Sequence, residues 1–255
     1  MAASPPIIDI TALRTYRGAG EAAATIGAID GACTDTGFFV ATGHGLDAPM
    51  TSMFAMARAF FALPQSEKEA IPRIERYGFV PHAGTAIDRD RASDKTEYID
   101  LGLADEVPLP TIDGFETALR TYQGQTLEVT DCLLRALAIA LDLPPDFFGP
   151  HMRRPQCRLR FLHYLPTPTE ADGSRAVLNT PHTDYGLITL LATDGVPGLE
   201  VEPRGGQWTP IAAPEGSLVI NLGDMLARWT NDRYVSTPHR VVGSAEVERI
   251  SISSG

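Results

Sequence analysis

The sequence predicts a mostly β protein with α-helices, a sandwich or jelly roll carrying an N-terminal helical layer. Three observations predict it. Apolar residues recur at helical spacing through much of the first 155 residues. After Gln156 the pattern changes to short apolar runs separated by Gly, Pro, Asp and Asn, the spacing of an all-β architecture. At 255 residues and 44% hydrophobic, the chain can bury one sizeable core, and no internal repeat or low-complexity linker divides it. One domain spanning 1–255 is therefore expected, helix-rich over 1–155, with the jelly-roll strands mainly in 156–255.

In chain order, "PPIIDI" reads as a short strand. "EAAATIGAIDGACTDTG" then places Ala22, Ile26, Ile29 and Cys33 on one helical face, with Gly37 as the stop. "FFVATGHGL" is a strand running into a glycine-bounded turn, so His44 is expected to be structural. "APMTSMFAMARAFFALP" has Pro49 in a first helical turn, where its missing N–H costs nothing. It sets Met50, Met53, Phe54, Ala57 and Phe61 along a stripe that is expected to be core, and stops before Pro64. A helix from Glu116 to Leu141 is expected to turn Leu127, Leu134, Ala138 and Leu141 inward, with "LPPDFFGP" breaking it. The strands follow as "CRLRFLHYLP", "LITLLAT", "GLEVEP", "QWTPI", "GSLVINLG", "HRVVG" and "ERISIS".

The formal net charge of -11 repels phosphate backbones, which argues against nucleic acid or an anionic membrane as the main partner and leaves a small molecule. Cys33, Cys132 and Cys157 are odd in number, widely spaced and form no CxxC pair, so they suit a reducing compartment and are expected to be small buried hydrophobes. The N-terminus lacks a basic segment followed by an apolar run, and nowhere do 18 apolar residues follow one another. The expected location is the cytoplasm.

The segment "NTPHTDYGLITLLATDGVPGLEV", residues 179–201, raises the question of chemistry. On an extended strand His182 and Asp184, two apart, project to one face. With 6 His in the chain, chance alone supplies roughly 0.4 HxD triplets, so the motif by itself is weak. It gains weight from His239 after a later apolar stretch, and from Arg249 and Ser251, again two apart, ten residues beyond that histidine. Two imidazoles and one carboxylate leave octahedral positions for a co-substrate and dioxygen, the arrangement suited to non-heme Fe(II). A guanidinium fork with a neighbouring hydroxyl suits the far carboxylate of a dicarboxylate. His82, His151 and His163 carry no ligand spacing.

On the blocks "DTGFFVATGHGL", "FFALPQSEKEAI", "KTEYIDLG", "LRFLHYLP", "HTDYGLITLLATDGVPGLEV", "VINLGDMLARWTND", "STPHRVV" and "ERISIS", the chain resembles the isopenicillin N synthase-like family of Fe(II)- and 2-oxoglutarate-dependent dioxygenases nearly end to end. The resemblance implies a distorted double-stranded β-helix with an N-terminal helical layer. It also implies that His182, Asp184 and His239 ligate Fe(II), that Arg249 and Ser251 clamp the distal carboxylate of 2-oxoglutarate, and that Tyr164 hydrogen-bonds the same co-substrate. With dioxygen, such a site would oxidise a C–H bond of a small molecule, by default hydroxylating it, with succinate and CO2 as co-products. Arg73, Tyr77 and Tyr98 fall where relatives build substrate walls.

Relatives usually continue past the Arg-x-Ser strand into a covering segment, which is expected to be missing after "SISSG". Two alternatives stand beside this reading: an Fe(II) oxidase or cyclase of the same fold that uses no 2-oxoglutarate, and a metal- or ligand-binding jelly roll without redox activity.

Overall fold

The computed structural model describes residues 4–15, 19–82, 96–102, 108–152 and 157–255. The first half contains β1 (Ile7–Asp9), α1 (Thr11–Arg14), α2 (Ala19–Asp35), β2 (Phe38–Thr42), α3 (Asp47–Phe61), α4 (Gln65–Glu69), β3 (Gly78–Val80), β4 (Thr96–Gly102) and α5 (Phe115–Ala140). The second contains β5 (Arg158–Tyr164), β6 (Val177–His182), β7 (Ile188–Thr193), β8 (Leu199–Val201), β9 (Thr209–Pro210), β10 (Leu218–Leu222), α6 (Asp224–Trp229), β11 (His239–Val242) and β12 (Arg249–Ser254). Eight strands form one sheet in the order β1-β2-β10-β7-β12-β5-β4-β3, and four form a second in the order β6-β11-β8-β9. The two sheets build the double-stranded β-helix. Strands β3 and β4 and the helix α6, absent from the local reading of the sequence, complete it.

The central strands of the large sheet are buried on both faces, and their two-residue period sorts side chains between two cores. Phe39 and Ala41 of β2, Leu159 and Phe161 of β5, Leu218 and Ile220 of β10 and Ile250 and Ile252 of β12 join the helices in an outer core. Phe38 and Val40, Leu162 and Tyr164, and Val219 turn the other way and meet Leu178, Leu199, Val201 and Val241 of the small sheet. Runs such as "LVINL" are almost uniformly apolar because both faces are covered.

Ala22, Ile26, Ile29 and Cys33 are buried as their spacing predicts, and so is the Met and Phe stripe of α3, with Phe60 added to it. Gly37 ends α2 with φ +67, a conformation in which a side chain would meet the Val235 carbonyl. On α5 the expected face is rotated. Leu134 and Ala138 are buried, but Leu127 and Leu141 are only half-buried, and Leu119, Tyr122, Val129, Leu133 and Leu137 carry the contact. The cause is that the buried face includes Gln123 and Thr126, whose polar atoms are satisfied by the Gly102 and Tyr122 carbonyls at 2.9 and 2.6 Å. Polar residues thus interrupt the apolar pattern where the helix is most buried. His44 is structural: Leu46 N–H donates to its Nδ1 at 3.0 Å, so Nε2 carries the proton to the Gly216 carbonyl at 2.7 Å. The three cysteines are free; Cys33 is buried, and Cys132 and Cys157 are half-buried.

A charged chain crosses the outer core. Lys68 Nζ lies 3.1 and 2.9 Å from the two Glu97 oxygens, Glu97 meets His163 Nδ1 at 2.8 Å, and His163 Nε2 meets Glu248 at 3.1 Å. With a carboxylate on each ring nitrogen, both nitrogens act as donors and the imidazolium is favoured. Burial pulls the His163 pKa down, but Glu97 and Glu248 outweigh it and raise it above the ordinary 6.5. Its stabilisation is therefore complete below 6.5 and lost as pH rises through the higher folded value. The urea midpoint is expected to fall from pH 6 to pH 9 by a component that His163→Gln removes. Lys68→Met, which leaves a buried carboxylate short of its cation, is expected to cost about 3–5 kcal/mol in the same assay.

Candidate active site

Both histidines follow the same tripeptide, Thr180-Pro181-His182 and Thr237-Pro238-His239. Proline fixes its own φ and pushes the preceding threonine to extended backbone, so each histidine folds back onto the threonine carbonyl two residues earlier. His182 Nδ1 lies 2.8 Å from the Thr180 oxygen and His239 Nδ1 3.2 Å from that of Thr237. A carbonyl only accepts, so Nδ1 carries a proton on both rings and Nε2 is the nitrogen available to a metal. The pairing of β6 with β11 sets His182 directly opposite His239, and the ring centroids come within 4.3 Å. The edge-on contact of Phe38 with His239, 5.5 Å between centroids, closes one side of the pair.

Asp184 completes the cluster from a different element than expected. His182 is the last residue of β6, and Asp184 lies beyond it in the turn leading to β7. What aims its side chain is the packing of that turn, not a continuous strand face. The Asp184 and Tyr185 carbonyls accept from the Asp224 and Met225 amides at 2.7 and 3.2 Å, and a side chain at Gly223 would strike the Gly186 carbonyl. Thr189 and Asn221 donate to Asp184 Oδ2 at 2.6 and 2.7 Å, while Oδ1 faces His239 Nε2 at 3.9 Å. One ligand atom from each of His182, Asp184 and His239 can be chosen so that all lie within 4.8 Å of one another.

Burial would raise the Asp184 pKa, but His239, Asn221, Thr189 and His182 together hold it below the usual carboxylate range. Burial lowers that of His239, with His182 adding to the effect and Asp184 opposing it. A carboxylate held ionised and a His239 whose burial favours the neutral ring suit a divalent metal, which needs deprotonated ligands.

The same cavity holds a second polar group. Arg249, 4% exposed, donates from Nε to the Val196 carbonyl at 3.1 Å and from Nη1 to Ser251 Oγ at 3.2 Å. Its guanidinium lies 5.0 Å above the Tyr164 ring, and the Tyr164 hydroxyl hydrogen-bonds Ser251 and Asn179. Burial, opposed by Arg249 and these bonds, pushes the Tyr164 phenol up, so it stays a neutral donor. Among the described residues no carboxylate pairs with Arg249, an arrangement that calls for an anion from outside the chain.

The 2OG-Fe(II) oxygenase superfamily matches residues 155–254, and the family of N-terminal regions described as non-haem dioxygenase in morphine synthesis matches residues 5–115. The 2-oxoglutarate-dependent dioxygenase citB of Monascus ruber is 31% identical over 97% of this chain and 82% of its own. The chain belongs to the 2OG-Fe(II) oxygenase superfamily. It is an Fe(II)- and 2-oxoglutarate-dependent dioxygenase. The proline hydroxylase buaE of Petromyces alliaceus is 32% identical over 82% of this chain and 72% of its own. A full-length Neurospora crassa protein solved in complex with alpha-KG superposes with a TM-score of 0.87 at 26% identity, over 99% of this chain and 85% of that one.

The residues of this oxygenase fit its cofactors. Two imidazoles and a carboxylate are a donor set for non-heme Fe(II), and the buried guanidinium with two hydroxyls is one for a carboxylate. His182, Asp184, His239, Arg249, Ser251 and Tyr164 all line one cavity. Arg73, Tyr77 and Tyr98 do not. Arg73 is exposed and Tyr77 half-buried against Gly102, in the segment that leads into β3 at the far edge of the large sheet. Tyr98 has the inward orientation but is buried, its ring covered by the Arg160 guanidinium at 4.2 Å. Sequence reasoning missed Thr189, Asn221 and Asn179, which orient the site, and Arg158 and Arg160, which line it. The repeated Thr-Pro-His was an available signal for the histidines.

Asn221→Ala is expected to weaken divalent metal binding about 10- to 100-fold by releasing one restraint on Asp184. Titration with Mn(II) under nitrogen measures it, with circular dichroism confirming the fold.

Proposed function

We propose that His182, Asp184 and His239 hold Fe(II), that Arg249, Ser251 and Tyr164 hold the distal carboxylate of 2-oxoglutarate, and that the enzyme hydroxylates a C–H bond of a small molecule. The observation that carries this reading is the single cavity lined by a metal-competent triad and by a buried guanidinium with no internal carboxylate among the described residues. When bound, Fe(II) and 2-oxoglutarate supply oxidative decarboxylation to succinate and CO2 together with an oxidant able to remove a hydrogen atom from carbon. The chain contributes positioning and charge. The Thr180 and Thr237 carbonyls fix the imidazole tautomers, Thr189 and Asn221 direct Asp184 Oδ1 inward, and the apolar side chains of Phe38, Leu162, Leu199 and Val241 limit water. Residues 1–255 act in this reading as one dioxygenase domain, since strands from both halves share one sheet.

A small-molecule substrate, in place of nucleic acid or a membrane surface, is supported by the net charge of -11 and by the cavity that holds the site. Among the described residues no helix is long and apolar enough to cross a membrane. Three free thiols support a reducing location, and we place the enzyme in the cytoplasm.

Asp184→Ala is expected to abolish 2-oxoglutarate turnover and weaken metal binding in a folded protein; unchanged metal affinity would remove the ligand assignment. Arg249→Gln is expected to raise the 2-oxoglutarate KM about 10- to 100-fold, the loss of a charge-assisted pair contributing about 1.5–3 kcal/mol. Arg249→Lys should be affected less, because it keeps the charge without the fork. Metal affinity without co-substrate should not move in either. Normal 2-oxoglutarate affinity in Arg249→Gln, with weakened binding of the organic substrate, would reassign the clamp.

A further inference from the structure

His239 reaches the site on a segment that the helical layer holds in place. After α6 the chain runs through residues 230–238 before β11 begins at His239. Its grip comes from the C-terminal half of α2 and the turn that follows it. The Tyr234 hydroxyl donates to Asp30 Oδ1 at 2.8 Å, the Val235 amide to the Cys33 carbonyl at 3.0 Å, and the Thr237 hydroxyl to the Thr36 carbonyl at 2.7 Å. The contact nearest the metal-competent cluster is the one made by Thr237. Thr36 is 4% exposed and Thr237 6%. Water cannot replace a bond between two groups so buried, so its loss is felt in full.

Two routes to the imidazole meet at Thr36. The first runs through its carbonyl: Thr237 is held there by its hydroxyl, and the Thr237 carbonyl in turn accepts from His239 Nδ1 at 3.2 Å. The second runs through its side chain. Thr36 Oγ1 donates to the Phe38 carbonyl at 3.0 Å and accepts from the Phe38 amide at 3.3 Å, and the Phe38 ring packs edge-on to His239. The backbone acceptor of the ring and the wall beside it thus share one support.

His239 needs that support more than His182 does. The Nδ1 bond of His182 to the Thr180 carbonyl is 2.8 Å, against 3.2 Å at His239. The shorter bond restrains its ring by itself, whereas the longer one leaves part of the restraint to the surroundings.

We propose that Thr237 is a positioning residue for the metal centre: its hydroxyl, bonded to the Thr36 carbonyl, holds the backbone that orients His239 and so couples the end of α2 to metal affinity. Thr237 acts only through His239. The inference rests on the reading of His182, Asp184 and His239 as the ligands, so Mn(II) titration of wild type and Asp184→Ala comes first. Equal Mn(II) affinity in those two would reject that earlier reading, and this inference with it.

The test then compares, in the full chain, Thr237→Val, which keeps the shape and loses the hydroxyl, with Thr237→Ser, which keeps the hydroxyl. Thr126→Val serves as the control: it removes a buried hydroxyl bonded to the Tyr122 carbonyl on α5, outside the cavity lining. Mn(II) affinity is measured under nitrogen, and the absorption bands of the Co(II)-loaded protein report the ligand arrangement. Thr237→Val is expected to bind Mn(II) about 10-fold or more weakly and to shift the Co(II) bands. Thr237→Ser should stay within about three-fold of wild type with the native spectrum, and Thr126→Val should change neither reading. The inference is overturned if Thr237→Val binds Mn(II) as wild type does, if Thr237→Ser is as weak as Thr237→Val, or if Thr126→Val loses as much affinity. Should Thr237→Val not fold, Thr237→Ala, which adds no bulk, takes its place in the same comparison with the same outcomes.

Discussion

Burial of the same strands on both faces is the constraint on which the rest of this molecule depends. A strand with one wet face can let its polar side chains point to water. In β2, β5, β7, β10 and β12 both faces are covered, so every residue belongs either to the helical core or to the cavity between the sheets. The outward positions hold apolar side chains that pack on the helices. The inward positions hold polar groups that line the cavity: Arg158, Arg160, Thr189, Asn221, Arg249 and Ser251. A register slip of one residue on β12 would put Ile250 and Ile252 into the cavity and drive Arg249 into the helical core. Fold and site are therefore specified by the same alternation.

Within that frame the metal-competent cluster is assembled from rigid local pieces. Each histidine is tied to its own backbone through a Thr-Pro-His turn, and the two are then brought face to face by cross-strand pairing. The carboxylate comes from a less regular segment and receives more external support, from two side-chain donors and from the start of α6. Irregular backbone needs outside restraint to hold a side chain to the precision a ligand requires.

Electrostatics divide along the same two faces. The outer core closes its charges internally through Lys68, Glu97, His163 and Glu248. The inner cavity leaves charge open at Arg249, which has no carboxylate partner among the described residues. Closed networks hold elements together, whereas open charge invites a ligand.

From the sequence alone came the helical first half, the strand-rich second half, the inward parity of Arg249 and Ser251, and the identity of the three metal-competent residues. These are properties of local periodicity and short motifs, which act within a few residues of one another. The α5 face could not be read correctly, because Gln123 and Thr126 are buried against partners that no helical pattern reveals. Nor could the support of Asp184, since Thr189, Asn221 and α6 reach it through packing of distant segments. Substrate-wall residues inferred by position, Arg73, Tyr77 and Tyr98, lie outside the cavity lining, while Arg158 and Arg160 line it. Which side chains line the cavity depends on how the two sheets close around it. That closure is a long-range event, and only the tertiary structure decides it.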